Sequence, residues 1–81
     1  MKPKEVILQE LNVLFQTIFK NDSIVVSETT NADDIKGWNS LTHMYLIDAV
    51  EKHFGCEFGF SEVMAFRNVG DMVDALANKQ F

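Results

Sequence analysis

Residues 37–55 of this 81-residue chain read Gly-Trp-Asn-Ser-Leu-Thr-His-Met-Tyr-Leu-Ile-Asp-Ala-Val-Glu-Lys-His-Phe-Gly. They predict a helix that begins at Asn39 or Ser40, because either side chain can accept a hydrogen bond from a free backbone N–H of the first turn. Gly55 predicts the end of this helix after Phe54. The face assigned to the core consists of His43, Leu46, Ile47, Val50 and Phe54. A different face carries Leu41, Met44, Tyr45 and Asp48, beside the Ser40 hydroxyl.

Helices are also predicted on both sides of this segment. From Pro3 to about Lys20 the apolar residues follow helical spacing: Ile7, Leu11, Leu14, Phe15 and Ile18. Residues 21–39 are rich in Asp, Asn, Ser and Thr, which indicates a long connection with turns. Ser61 is expected to cap a short helical turn through about Phe66. Asn68 should cap a last helix whose buried stripe is Val69, Met72, Val73 and Leu76.

These elements predict an all-α protein, a small antiparallel four-helix bundle that forms one domain over residues 1–81. The chain has twelve Asp and Glu residues but only seven scattered Lys and Arg residues, which gives a net charge of −5. This charge argues against nucleic acid as a partner. The acidic balance favours protein partners with basic patches. We expect a monomer without a signal-peptide core or membrane span. The single cysteine, Cys56, cannot form an internal disulfide, which fits a reducing cytoplasm.

The segments 33–44, 46–47, 51–55 and 69–73 together carry a family resemblance. They resemble the acyl carrier protein family, whose usual signature is Asp-Ser-Leu at the start of the second helix, commonly preceded by Gly-Trp or a similar pair. The resemblance extends from the first helix to about Ala77. It implies a four-helix bundle with a long first loop and a short third helix, in agreement with the periodicity.

The resemblance also implies a function. Ser40 would be the residue to which a phosphopantetheinyl transferase attaches 4′-phosphopantetheine from coenzyme A, and the thiol of that arm would carry acyl groups as thioesters. Such a carrier is not an enzyme, and its partners are the transferase and the acyl-loading and acyl-processing enzymes. The docking surface implied for those partners is Leu41, Met44, Tyr45, Asp48 and Glu51. Asn39 stands where the family usually has Asp, which removes a charge beside the attachment point.

Several alternatives remain open from the residues alone. Ser40 could be a plain helix cap, and the docking residues could be a mixed solvent face or part of the core. The cargo could be a fatty acyl chain, a polyketide intermediate or an aminoacyl group, because peptidyl and D-alanyl carriers share the fold and the serine. The second helix of many fatty-acid-synthesis carriers is rich in acidic residues. Here several of its positions are instead neutral or basic, namely Thr42, Tyr45, Lys52 and His53, which favours a carrier of a specialised pathway. A protein of another class would be an unmodified helical interaction module whose activity survives Ser40→Ala.

Other candidate residues favour structural roles. Trp38 is expected to pack the loop onto the core. The trio His43, His53 and Cys56 lacks a fourth ligand at recognisable spacing, so no metal site is predicted. Asp33 and Asp34 are read as a solvated turn. The sequence shows no paired catalytic carboxylates and no activated cysteine, which argues against an independent enzyme.

Overall fold

The computed structural model describes residues 2–79, which form four α-helices joined by loops. Their bounds are α1 (Lys4–Phe19), α2 (Ser40–Phe54), α3 (Phe60–Ala65) and α4 (Val69–Asn78). A single 3₁₀ turn, Ala32–Asp34, interrupts the long connection between α1 and α2. No strand occurs within the described residues. The all-α class, the long first loop and the short third helix are therefore confirmed.

The predicted bounds of α1 and α2 and the predicted start of α4 agree with the structure to within a residue. Pro3 precedes α1 as its N-cap, and its carbonyl accepts the backbone N–H groups of Val6 and Ile7, both at 3.1 Å. Gly55 ends α2 at φ 68°, a left-handed conformation that suits glycine. Asn68 caps α4 by accepting the Asp71 N–H at 2.9 Å.

The predicted cap of α3 is wrong. Ser61 lies inside the helix as its second residue, and the N-cap is Gly59. The Glu62 carboxylate reaches back to accept the Gly59 N–H at 3.0 Å. A carboxylate at the third helical position can make this bond, whereas a helix capped by Ser61 would place Glu62 too early in the first turn.

The core lies where α1 packs against α2 and α4. Fully buried side chains come from all three helices, and they are Ile7, Leu11, Phe15, Leu46, Val50, Val69, Met72 and Val73. The stripes predicted for α2 and α4 are confirmed, except that His43 and Phe54 are only partly buried. Leu14 and Ile18 also pack at the margin of the core rather than inside it. None of the helices in residues 2–79 is long and apolar enough to span a membrane.

The long connection is fixed to α1 by side chains that bind its backbone. Asn12 accepts the Val26 N–H at 2.7 Å and donates to the Val26 carbonyl at 3.3 Å. Gln16 donates to the Ile24 carbonyl at 2.9 Å. Ile24 and Val26 are buried, as are Ile35 and Trp38 farther along the loop. The loop therefore brings the start of α2 to a defined place on the bundle.

Candidate functional site

Ser40 is the first residue of α2, and its side chain is exposed. The cap of this helix is Asn39, whose Oδ1 accepts the N–H groups of Leu41 at 2.9 Å and Thr42 at 3.1 Å. Thr42 Oγ1 accepts the Asn39 N–H at 2.8 Å and donates to the Gly37 carbonyl at 2.6 Å. Because Asn39 performs the capping, the Ser40 hydroxyl makes no hydrogen bond within residues 2–79.

This position suits the attachment of a phosphate ester. The N-terminal end of a helix carries a partial positive charge and offers free backbone N–H groups, both of which stabilise an anion. The first turn of α2 contains no acidic side chain that would repel one. An exposed hydroxyl that is not needed for capping can be esterified without breaking a bond of the fold.

A groove of about 370 Å³ lies between α2 and α3, and Ser40 is one of its lining residues. Its mainly apolar walls include Trp38, His43, Met44, Val63, Met64 and Phe66. Arg67 is the charged residue of the lining. A chain attached to Ser40 could therefore lie against apolar side chains. A larger concave region of about 910 Å³ lies toward the other end of α2, but its lining is largely charged and does not include Ser40.

Trp38 and His43 join the loop to α2 in the wall of this groove. The Trp38 ring is buried and meets the Phe15 ring edge-on, with centroids 5.1 Å apart. Its indole Nε1–H donates to His43 Nδ1 at 3.0 Å. The predicted packing role of Trp38 is thus what the structure shows. The spacing of α2 predicts His43 in the core, but His43 instead lies half-buried at the groove.

The five residues proposed for docking divide into two groups. Leu41, Met44 and Tyr45 are exposed, with relative accessibilities of 62%, 49% and 58%. Asp48 is exposed as well and pairs with Lys52 at 2.9 Å on the next turn. Glu51 is partly buried, and its carboxylate accepts the Phe58 N–H at 2.8 Å in the connection to α3. Glu51 therefore holds the chain after α2 and does not lie freely on the surface.

Sequence reasoning missed the contribution of α3. Phe60 and Met64 are exposed on this helix, at 77% and 66%, and Met64 lines the groove beside Ser40. Their spacing of four residues places them on one side of a helix. That spacing predicts a shared apolar side of α3, but a buried side and an exposed side have the same spacing.

The remaining candidate residues have separate local roles. His53 Nε2 lies 2.6 Å from Glu10 Oε1, which connects α2 to α1. Cys56 is partly buried, and this burial raises the pKa of its thiol. The Asp34 carboxylate accepts the Asn31 N–H at 3.0 Å within the 3₁₀ turn. In the described part of the chain, no three His, Cys, Asp or Glu side chains come together as a metal site.

Two kinds of comparison with known proteins give matches, one with a protein family and one with solved structures. Residues 9–76 match the protein family described as "Phosphopantetheine attachment site". Among solved structures, the chain is similar to the solution NMR structure of the holo acyl carrier protein from Geobacter metallireducens. The two chains are 40% identical, with a TM-score of 0.84, over 89% of this chain and 83% of the other. The search of curated proteins gave no match.

Proposed function

The chain belongs to the phosphopantetheine-attachment family of acyl carrier proteins, and on that basis we propose that Ser40 carries its 4′-phosphopantetheine arm. The observation that supports Ser40 is its hydroxyl, which is exposed at the start of α2 and is released from capping by Asn39. In the loading reaction the Ser40 oxygen would form a bond to the phosphorus of the phosphopantetheine part of coenzyme A. The diphosphate bond would break, 3′,5′-adenosine bisphosphate would leave, and the hydroxyl proton would pass to a base of the transferase.

The thiol of the arm would hold acyl intermediates as thioesters for fatty acid, polyketide or related specialised biosynthesis. The apolar groove beside Ser40 favours an acyl cargo over a strongly polar one. A peptidyl or D-alanyl carrier is the alternative of the same class, and an unmodified interaction module of the same fold is the alternative of another class. We further propose that the carrier is not itself catalytic and acts as a monomeric single domain in the cytoplasm.

We also propose that partner enzymes dock on the face of α2 that carries Leu41, Met44, Tyr45 and Asp48. Three of these residues are apolar or aromatic and more than 45% exposed. The α3 residues Phe60 and Met64 extend the apolar part of this surface across the groove. The transferase and the acyl-loading and acyl-processing enzymes would all approach the arm from this side. Glu51 contributes charge at the margin while it holds the Phe58 backbone.

The first test compares the parent with Ser40→Ala and Ser61→Ala. Ser61 is a matched control because it is also an exposed serine near the start of a helix. Each apo protein is incubated with coenzyme A, magnesium and a broad-specificity phosphopantetheinyl transferase, and its intact mass is recorded. The parent and Ser61→Ala should each gain one phosphopantetheine, and Ser40→Ala should gain none.

Failure of the parent to gain mass would favour the unmodified interaction module over the carrier protein. If the folded parent gains no mass with several transferases, the thioester function is contradicted and the unmodified interaction module becomes the better explanation. A gain that persists in Ser40→Ala would place the arm on another residue. Because the Ser40 hydroxyl makes no hydrogen bond within residues 2–79, its removal should leave the fold intact, and a circular dichroism melt checks this.

A further inference from the structure

Trp38 fixes the tautomer of His43 in the wall of the groove. The indole Nε1–H lies 3.0 Å from His43 Nδ1, and the two rings are nearly parallel, with an interplanar angle of 19°. An indole nitrogen can only donate a hydrogen bond, so Nδ1 is the acceptor. An imidazole that accepts at Nδ1 carries its hydrogen on Nε2. The groove therefore contains one imidazole N–H whose position is set by the fold.

This Nε2–H is poorly satisfied by the protein itself. It faces the Val63 carbonyl oxygen at 3.4 Å, which is longer than the range of about 2.7–3.2 Å for a good N–H···O bond. No other acceptor for Nε2 occurs within residues 2–79. A half-buried donor with a weak partner gains free energy when a better acceptor arrives.

Ser40 and His43 are three residues apart on α2, and side chains at this spacing are neighbours, with Cβ atoms roughly 5–6 Å apart. Both line the groove, whose other walls include Met44, Val63 and Met64. The pantetheine arm contains amide carbonyls among methyl and methylene groups, and an acyl cargo adds further carbonyls. Apolar walls with one fixed donor match this chemistry.

We propose that His43 is a positioning residue whose Nε2–H binds a carbonyl oxygen of the chain tethered to Ser40. This proposal rests on the attachment proposed at Ser40. In this arrangement Trp38 orients the imidazole, and the imidazole holds the tethered chain in the groove between α2 and α3. The carbonyl belongs either to an amide of the arm or to the acyl cargo, as its thioester or keto carbonyl.

The test follows the imidazole nitrogens of His43 by NMR in protein labelled with ¹⁵N-histidine. Four forms are compared, each verified by intact mass: apo, holo, butyryl-loaded and acetoacetyl-loaded. His53, the only other histidine, is the internal control, because it pairs with Glu10 and does not line the groove. We expect the His43 Nε2 resonance to shift on loading while the His53 resonances stay in place.

The four forms distinguish the two sources of the carbonyl. A shift already complete in the holo form assigns the bond to an amide of the arm. A shift that first appears in the butyryl form assigns it to the thioester carbonyl of the cargo, and a shift confined to the acetoacetyl form assigns it to the keto group. If the His43 resonance stays unmoved in every loaded form, the role of His43 is overturned while the attachment at Ser40 stands. A parent that gains no mass overturns both proposals.

Variants add a readout through Trp38, the single tryptophan of the chain. Its emission should change between the apo and holo forms of the parent and of His53→Phe. The change should be lost in His43→Phe, which keeps a flat ring without a donor, and regained in His43→Gln, whose side-chain amide can donate. A change of parental size in folded His43→Phe would contradict the proposal. Should His43→Phe not fold, the resonances of the parent decide the question alone.

Discussion

At the scale of single residues, Asn39 explains how the chain keeps a capped α2 without the family's usual aspartate. The amide oxygen of Asn39 accepts the same two backbone N–H groups that a carboxylate would accept, those of Leu41 and Thr42. Asn and Asp are about equally good N-caps, so the substitution costs little capping energy. What changes is the charge beside Ser40, which a modifying enzyme would encounter.

We therefore predict opposite effects for two substitutions of Asn39. Asn39→Ala removes the cap and should lower the free energy of unfolding by about 1 kcal/mol, or roughly 4–8 °C in Tm for a domain of this size. Asn39→Asp keeps the cap and adds a negative charge at the positive helix end, which should stabilise the fold by about 0.3–1 kcal/mol. Thermal unfolding followed by circular dichroism measures both. An Asn39→Ala variant as stable as the parent would contradict the capping role.

At the scale of elements, α4 holds the long connection in place through two backbone hydrogen bonds. The N–H groups of Val69 and Gly70 donate to the carbonyls of Thr30 and Glu28, both at 2.8 Å. The loop backbone comes so close that a Cβ added at Gly70 would lie 2.7 Å from the Glu28 oxygen. Glycine is thus required here by close approach and not by its own φ angle.

Gly70→Ala should destabilise the fold because the new methyl group must push the loop away from α4. We expect a loss of about 1–3 kcal/mol, the usual cost of overpacking, measured by urea unfolding. Gly59→Ala is the matched control, since a Cβ there would meet nothing closer than 3.7 Å. Equal losses in the two variants would show that the contact with Glu28 is not the cause.

The elements also show what the sequence could predict and why. The starts of α2 and α4 were predictable because each has a capping side chain, Asn39 or Asn68, directly before an apolar stripe. For α3 the sequence predicts Ser61 as the cap, because a serine is the usual local signal for a helix start. Glu62, three residues after Gly59, carried the information that decided the position of the cap.

The candidate site was predictable only in part. Ser40 could be predicted as the attachment residue because its neighbours in sequence resemble the acyl carrier protein signature. The groove could not be predicted from the sequence. Its second wall comes from Val63, Met64 and Phe66, and the placement of α3 against α2 depends on the packing of the whole core. The Trp38–His43 hydrogen bond was likewise hidden, since spacing alone places His43 among the core residues.

At the scale of the whole molecule, ion pairs connect the helices around their exposed surface. Lys4 pairs with Asp74 between α1 and α4 at 2.8 Å. Lys79 pairs with Glu62 between α4 and α3 at 3.1 Å. Glu10 on α1 accepts from Lys2 at 2.7 Å and also contacts His53 on α2. Each exposed pair contributes little alone, but together they make the stability of the bundle depend on pH.

The carboxylates make this dependence strongest on the acid side. Lys2, and then His53, hold the pKa of Glu10 below its usual value of 4.5. The Gly59 N–H, followed by Lys79, lowers the pKa of Glu62 in the same way. The Arg67 backbone N–H and then its side chain lower the pKa of Asp71 from the usual 3.8. A group whose pKa is lower in the folded state stabilises the fold above its unfolded-state value and loses that contribution as pH falls through the folded-state value.

The free energy of unfolding should therefore be level near neutral pH and fall steadily as the pH drops below about 4.5, where the unfolded chain begins to take up protons first. Asp71→Asn should reduce this fall, because the substituted side chain has no proton to gain. Asp22→Asn is the matched control, since the Asp22 carboxylate has no hydrogen bond or ion pair within residues 2–79. Urea unfolding at a series of pH values from about 7 to 3 measures the effect. If both variants lose as much stability as the parent over this range, the Asp71 bonds to Arg67 do not contribute to the stability of the bundle.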